Sequence, residues 1–222
     1  MMYIEIPLKA MGPFNWRSLF SESEAEKFGV YLWTVQYKEK YLVHYVGETG
    51  VSFVKRFIDH TRNQLNGINC IYEPKKLAAG ERDKLWEGWW KGREGFKKPT
   101  RVVEFLEKFT KLSKAAYDSI DKFQIFLLPF DPKFKTDERV RKRVETIIAE
   151  ALFYRPGITR DFQDEYLFSD SNRQSYAKFE RKSTEDPIKV IFENSDQIVG
   201  LQQELREDEI EAKKRLKSNL TT

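Results

Sequence analysis

Residues 29–60 read GVYLWTVQYKEKYLVHYVGETGVSFVKRFIDH, and the reading of this stretch decides the fold. Tyr31, Trp33, Val35 and Tyr37 alternate with Val30, Leu32, Thr34 and Gln36. Tyr41, Val43 and Tyr45 likewise alternate with Leu42, His44 and Val46, which is strand periodicity. Lys38, Glu39 and Lys40 between the runs suit a tight antiparallel hairpin. Thr49-Gly50 breaks the pattern and Ser52 suits an N-cap, so the spacing predicts a helix to about Leu65. Phe53, Val54, Phe57, Ile58 and Thr61 give that helix an apolar side, with Arg56 and His60 one turn apart on another face.

Outward from the hairpin, FQIFLLPF at 123–130 reads as a buried third strand ending at Pro129. Residues 137–154 carry Val140, Val144, Ile147, Ile148 and Ala151 at core-facing spacing, predicting a helix capped by Thr136 or Asp137 and stopped by Pro156-Gly157. The fold class is therefore α/β: a small, mainly antiparallel three-stranded sheet over 29–37, 41–47 and 123–128, flanked by helices.

Residues 1–28 form an N-terminal lead-in in which Ile4, Ile6 and Leu8 predict a short strand, confined to a sheet edge because Pro7 lacks an N–H. The segment 66–119 is too long for a plain loop and reads as a helical insertion, with helices over 81–91 and 101–112. Trp86, Trp89 and Trp90 either anchor that insertion or, interleaved with Lys75, Lys76, Lys91, Arg93, Lys97, Lys98 and Arg101, form a surface for phosphates and bases; the anchoring role is preferred. Residues 29–157 are the core, and 158–222 a C-terminal extension. In the extension, 188–192 reads as a strand or short helix, and the charged helical tail from Leu201 reads as a solvated face that frays.

The chain has 222 residues, a net charge of +4 and 33% charged residues, so a nucleic-acid face must come from local clustering rather than bulk charge. Cys70 is the single cysteine, which excludes an internal disulfide and a cysteine zinc site. No stretch approaches a membrane span or resembles a signal peptide, so the expectation is a cytoplasmic protein with no membrane partner.

Gly29-Val30-Tyr31 and Tyr45-Val46-Gly47 resemble the paired tripeptides of the GIY-YIG nucleases, and Arg56 lies where that family carries an arginine on its first helix. Thirteen residues separate Tyr31 from Tyr45, slightly more than is usual there. The Arg56/His60 pair is closest to the restriction endonuclease branch. The resemblance implies Mg²⁺- or Mn²⁺-dependent hydrolysis of DNA phosphodiester bonds, with the extra segments serving target recognition or assembly. Two other classes remain open: a catalytically inactive nucleic-acid-binding or assembly protein on the same scaffold, and a repair or mobile-element nuclease.

The chemistry needs a group to activate water, a positive charge on the phosphate and a cation for the leaving oxygen. The resemblance assigns Tyr31 to the water, supported by Tyr45 and His60, and Arg56 to the phosphate. Glu145, in RVETIIAEALFYRP, takes the metal-ligand place of the family's later helix, with Glu150 as rival. The family asparagine expected twelve residues beyond that glutamate is Gly157 here, leaving Asn172 as a substitute through a longer loop. Lys133, Lys135, Arg139, Arg141, Lys142 and Arg143 cluster before Glu145 and suit a DNA backbone, with Lys55 as a further phosphate contact. A palindromic substrate would make a homodimer the expected assembly.

Overall fold

The computed structural model describes residues 2–89, 99–164 and 176–218. Nine strands run in chain order as β1 (Ile4–Lys9), β2 (Met11–Asn15), β3 (Gly29–Tyr37), β4 (Lys40–Thr49), β5 (Ile71–Tyr72), β6 (Lys84–Trp86), β7 (Gln124–Pro129), β8 (Ile188–Glu193) and β9 (Glu204–Arg206) among the described residues. The helices are α1 (Phe53–Leu65), α2 (Pro74–Ala78), α3 (Pro99–Glu107), α4 (Phe109–Lys122), α5 (Glu138–Phe153), α6 (Ile158–Phe162) and α7 (Glu207–Ser218). The architecture is α/β with mixed sheets. Among the described residues no helix is long and apolar enough to cross a membrane.

The expected hairpin is β3–β4, closed tightly so that Tyr37 pairs with Lys40. Its register slips between Trp33 and Thr34: Trp33 faces Tyr45, Thr34 faces Val43, and His44 is left over as a bulge. The slip corrects the simple alternation read from sequence. Tyr45 lies with Tyr31 and Trp33 in one hydrophobic layer, whereas Tyr41 and Val43 fall in the other. The His44 carbonyl leaves the ladder and accepts the Asp164 N–H at 2.6 Å.

β7 pairs antiparallel with β3, as expected, but the sheet has four strands, not three. The fourth is β2 from the lead-in, which pairs with the far edge of β7 despite Pro13, because an edge strand tolerates a missing N–H. β1 belongs to a second sheet, parallel to β8, with β9 antiparallel on the other side of β8. Lead-in and extension are thus joined to each other by backbone hydrogen bonds. α5 shares one buried cluster with both sheets, through Val144, Ile147 and Ile148 against Val30, Leu32 and Phe126 and against Ile188 and Val190.

The insertion differs from expectation in a definite way. Residues 84–86 form strand β6 against β5 rather than part of a helix, and the helix expected over 101–112 is broken at Lys108 into α3 and α4. Trp86 is 3% exposed, gives its Nε1 hydrogen to the Gly67 carbonyl at 2.7 Å and packs on Trp89 and Phe105. Arg101 lies 4.5 Å above its ring, so this cation stacks inside the insertion. These tryptophans anchor; Trp90, Lys91, Arg93, Lys97 and Lys98 lie outside the described residues.

The tail is also docked rather than freely solvated. Ile210 is buried, and Glu207, Glu211 and Glu150 pair with Arg143, Arg181 and Lys214. These pairs tie α7 to α5 and to the segment that precedes β8.

Candidate active site

Ser52 caps α1 by accepting the Lys55 N–H at 3.4 Å, which fixes where the helix begins and therefore which side chains face the hairpin. Phe53 and Phe57 are buried against the sheet, and the same helix presents Arg56 and His60 to Tyr31. Two glycines make the approach close. A β-carbon on Gly29 would collide with the Leu128 carbonyl of the neighbouring strand. One on Gly47 would overlap the Tyr31 hydroxyl and crowd the Tyr45 ring.

Tyr31 is wholly buried, yet its hydroxyl is fully used. Arg56 Nε donates to it at 3.0 Å, and the Tyr45 ring lies beside it, centroids 6.1 Å apart. His60 Nε2 stands 2.7 Å away. A guanidinium can only donate, so the phenol oxygen accepts from Arg56, and its own proton points at His60 Nε2 when the imidazole carries its hydrogen on Nδ1.

The electrostatics make the imidazole neutral. Burial, followed by the neighbouring Arg56 charge, pushes His60 down to about 3, so it is an uncharged acceptor at neutral pH. Burial pushes Tyr31 up to about 12, with Arg56 opposing the rise. Tyr45 is raised well above the usual phenol range by burial and then by Tyr31 and Glu145. Arg56 is held above the ordinary arginine range: burial opposes its charge, and the two phenols outweigh it.

Glu145, on α5, completes the group from another direction. It is 2% exposed; its Oε1 accepts the Glu48 N–H at 3.0 Å and its Oε2 accepts from Tyr176 at 2.9 Å and Lys142 at 3.1 Å. Its charge is felt at both Tyr31 and Tyr45. Burial raises the Glu145 carboxyl above the usual range, and Lys142 works against that rise. Glu150 turns the other way, towards Lys214 of α7 at 3.0 Å. Tyr31, Tyr45, Arg56, His60 and Glu145 therefore converge from β3, β4, α1 and α5.

No protein-family model, curated protein or solved structure matches this chain.

The arginines of the basic cluster before Glu145 are tied into the fold, whereas Lys133 and Lys135 are exposed. Arg143 is 4% exposed and forms a two-pronged bond to Glu207, at 2.8 Å and 2.5 Å. Arg139 is bound by Glu185 and by the carbonyls of Lys178 and Glu180. Arg141 is buried against Glu48. Arg143 thus braces α7 instead of offering a phosphate contact, because helical phase turns it into the α5–α7 interface. Lys55 is exposed beside the site. Asn172 lies outside the described residues.

Sequence reasoning missed Glu48 and Tyr176. Glu48 follows the second tripeptide directly, so its place was readable; Tyr176 comes from the extension and carried no local signal. Among the described residues no cluster of three or more His, Cys, Asp or Glu side chains forms. The oxygen set is two carboxylates and a phenol, hard donors around a point already occupied by a positive ammonium, which fits a small divalent cation.

Proposed function

We propose that the protein is a Mg²⁺-dependent endodeoxyribonuclease of the GIY-YIG type, restriction-like in its Arg56/His60 pair, acting on DNA. The observation that carries this reading is the contact of Arg56 Nε and His60 Nε2 with one buried phenol, Tyr31, at 3.0 Å and 2.7 Å, with the Tyr45 ring beside it.

In this reading Arg56 binds the phosphate and stabilises its growing charge. Tyr31 is too deeply buried to touch the attacking water, which moves that contact from Tyr31 to the partly exposed Tyr45. The water oxygen forms the new bond to phosphorus while its proton passes to Tyr45. The Tyr45 proton passes to Tyr31, and the Tyr31 proton passes to His60. The P–O bond to the leaving sugar oxygen breaks, and that oxygen takes a proton from solvent. Burial is the larger cause of the low His60 value and the Arg56 charge the smaller, and phosphate bound on Arg56 offsets the second of these. Glu145, with Glu48 and Tyr176 beside it, would hold the cation, whose chemistry when bound is to offset charge on the leaving oxygen.

Nicking of supercoiled plasmid with Mg²⁺ tests the reading. Wild type should cleave, and Arg56→Ala and Glu145→Ala should bind DNA without cutting it. A non-catalytic DNA-binding role is the second reading, favoured by the complete burial of Tyr31 and by the Lys142 ammonium on Glu145. It prevails if wild type binds varied DNAs and nicks none.

A further inference from the structure

The Lys142 ammonium lies between two carboxylates that are far apart in the chain. It is 2.9 Å from Glu48 Oε1, 3.1 Å from Glu145 Oε2 and 3.1 Å from the Tyr176 hydroxyl, and it sits 4.9 Å above the Tyr176 ring. The Glu48 and Glu145 side chains are 7% and 2% exposed, so two buried negative charges face each other across one cation.

The neighbouring Arg141 is held in a different manner. Its Nε donates to Glu48 Oε2 at 3.2 Å, while Nη1 donates to the carbonyls of Phe134 at 3.1 Å and Lys135 at 2.5 Å. Backbone ties make Arg141 part of the frame. Lys142 is instead a compact charge on a flexible stem, gripped by side-chain oxygens that a divalent ion would also choose.

We propose that Lys142 is a tethered cation that keeps Glu48 and Glu145 together until a divalent ion replaces it, with Glu48 as the second carboxylate at that ion. The proposal rests on the reading of Glu145 as a metal ligand. In the same oxygen cage an ion of twice the charge is attracted to both carboxylates in proportion to its charge, and it replaces the ammonium where that gain exceeds the cost of shedding its water. The displaced side chain then points its ammonium out of the cage towards solvent. Cation binding and exposure of a second phosphate-binding charge become one event, and Lys142 contacts DNA only after the exchange.

Titration with Mn²⁺, read by electron paramagnetic resonance on full-length protein without DNA, tests this independently of cleavage. Glu48→Gln should weaken Mn²⁺ binding about tenfold or more. Lys142→Met should tighten it, and should melt below wild type in EDTA while gaining more in Tm than wild type when Mg²⁺ is added. The proposal is overturned if Lys142→Met binds Mn²⁺ as wild type does, or if Glu48→Gln is unchanged while Glu145→Gln loses binding. If Glu145→Gln is also unchanged, the metal-ligand reading of Glu145 falls with it. Lys142→Gln repeats the measurement should Lys142→Met not fold. Failure of both to fold in Mg²⁺ overturns the proposal, because the ion should substitute for the lysine.

Discussion

The Tyr31 hydroxyl meets His60 Nε2 at 2.7 Å inside the layer between β3 and α1, where Tyr31 is fully buried and His60 is 7% exposed. The pair is a packing element and, in the proposed reaction, the inner end of a proton path. Tyr31→Phe leaves a buried ring nitrogen and a guanidinium hydrogen without their partner. The expected cost is about 1–3 kcal/mol in urea unfolding, together with loss of plasmid nicking. Tyr45→Phe should abolish nicking with a smaller stability loss, since Tyr45 is partly exposed.

His60 also predicts a pH dependence of stability. Its folded-state value of about 3 lies below the ordinary histidine value of 6.5, so the unfolded chain binds the proton more readily between those limits. Its contribution is therefore complete above about pH 6.5 and is lost as the pH falls towards 3, at up to about 1.4 kcal/mol per pH unit. Melting curves from pH 4 to 7 should show wild type falling more steeply with acid than His60→Gln. Equal slopes would contradict the buried neutral imidazole.

Gly47→Ala should separate the site from the fold. The new methyl overlaps the Tyr31 hydroxyl and crowds Tyr45, so the two phenols cannot keep their contact with Arg56. A loss of about 1–3 kcal/mol is expected from overpacking, with far-ultraviolet circular dichroism unchanged and nicking lost. Retained wild-type nicking would mean that the tyrosine pair is not used.

Arg143→Ala should behave as a break in a buried ion pair. Glu207 would stay buried without its guanidinium, costing about 3–5 kcal/mol in denaturant unfolding. The salt dependence of DNA binding should not change. A variant of wild-type stability with a shallower salt slope would return Arg143 to the phosphate.

Arg56→Lys retains the charge but cannot span both phenol oxygens and a phosphate with a planar fork. A drop in nicking rate of about 100-fold or more is expected, with DNA affinity nearly retained. The measurement is single-turnover cleavage beside a binding isotherm.

Much of this architecture was written locally. Strand periodicity from Gly29 to Val46, the Ser52 cap and the apolar stripe of α5 depend on neighbouring residues, and each element appears where its pattern put it. β2 was illegible because Pro13 argues against a strand; its partner on β7, more than a hundred positions away, overrides that preference at an edge. The bulge at His44 was equally hidden, since alternation alone does not reveal where a ladder slips.

By itself the sequence determined the hairpin, the helix that carries Arg56 and His60, and the kinds of chemical group on offer, because backbone propensity and side-chain period act over a few residues. Only the tertiary structure decided which of those groups meet. It turned Glu145 towards the tyrosines and Glu150 towards α7, buried Arg143 as a brace, and brought Glu48 and Tyr176 to Lys142. The physical reason is charge: buried carboxylates and cations must find partners, and those partners come from elements that only packing brings together.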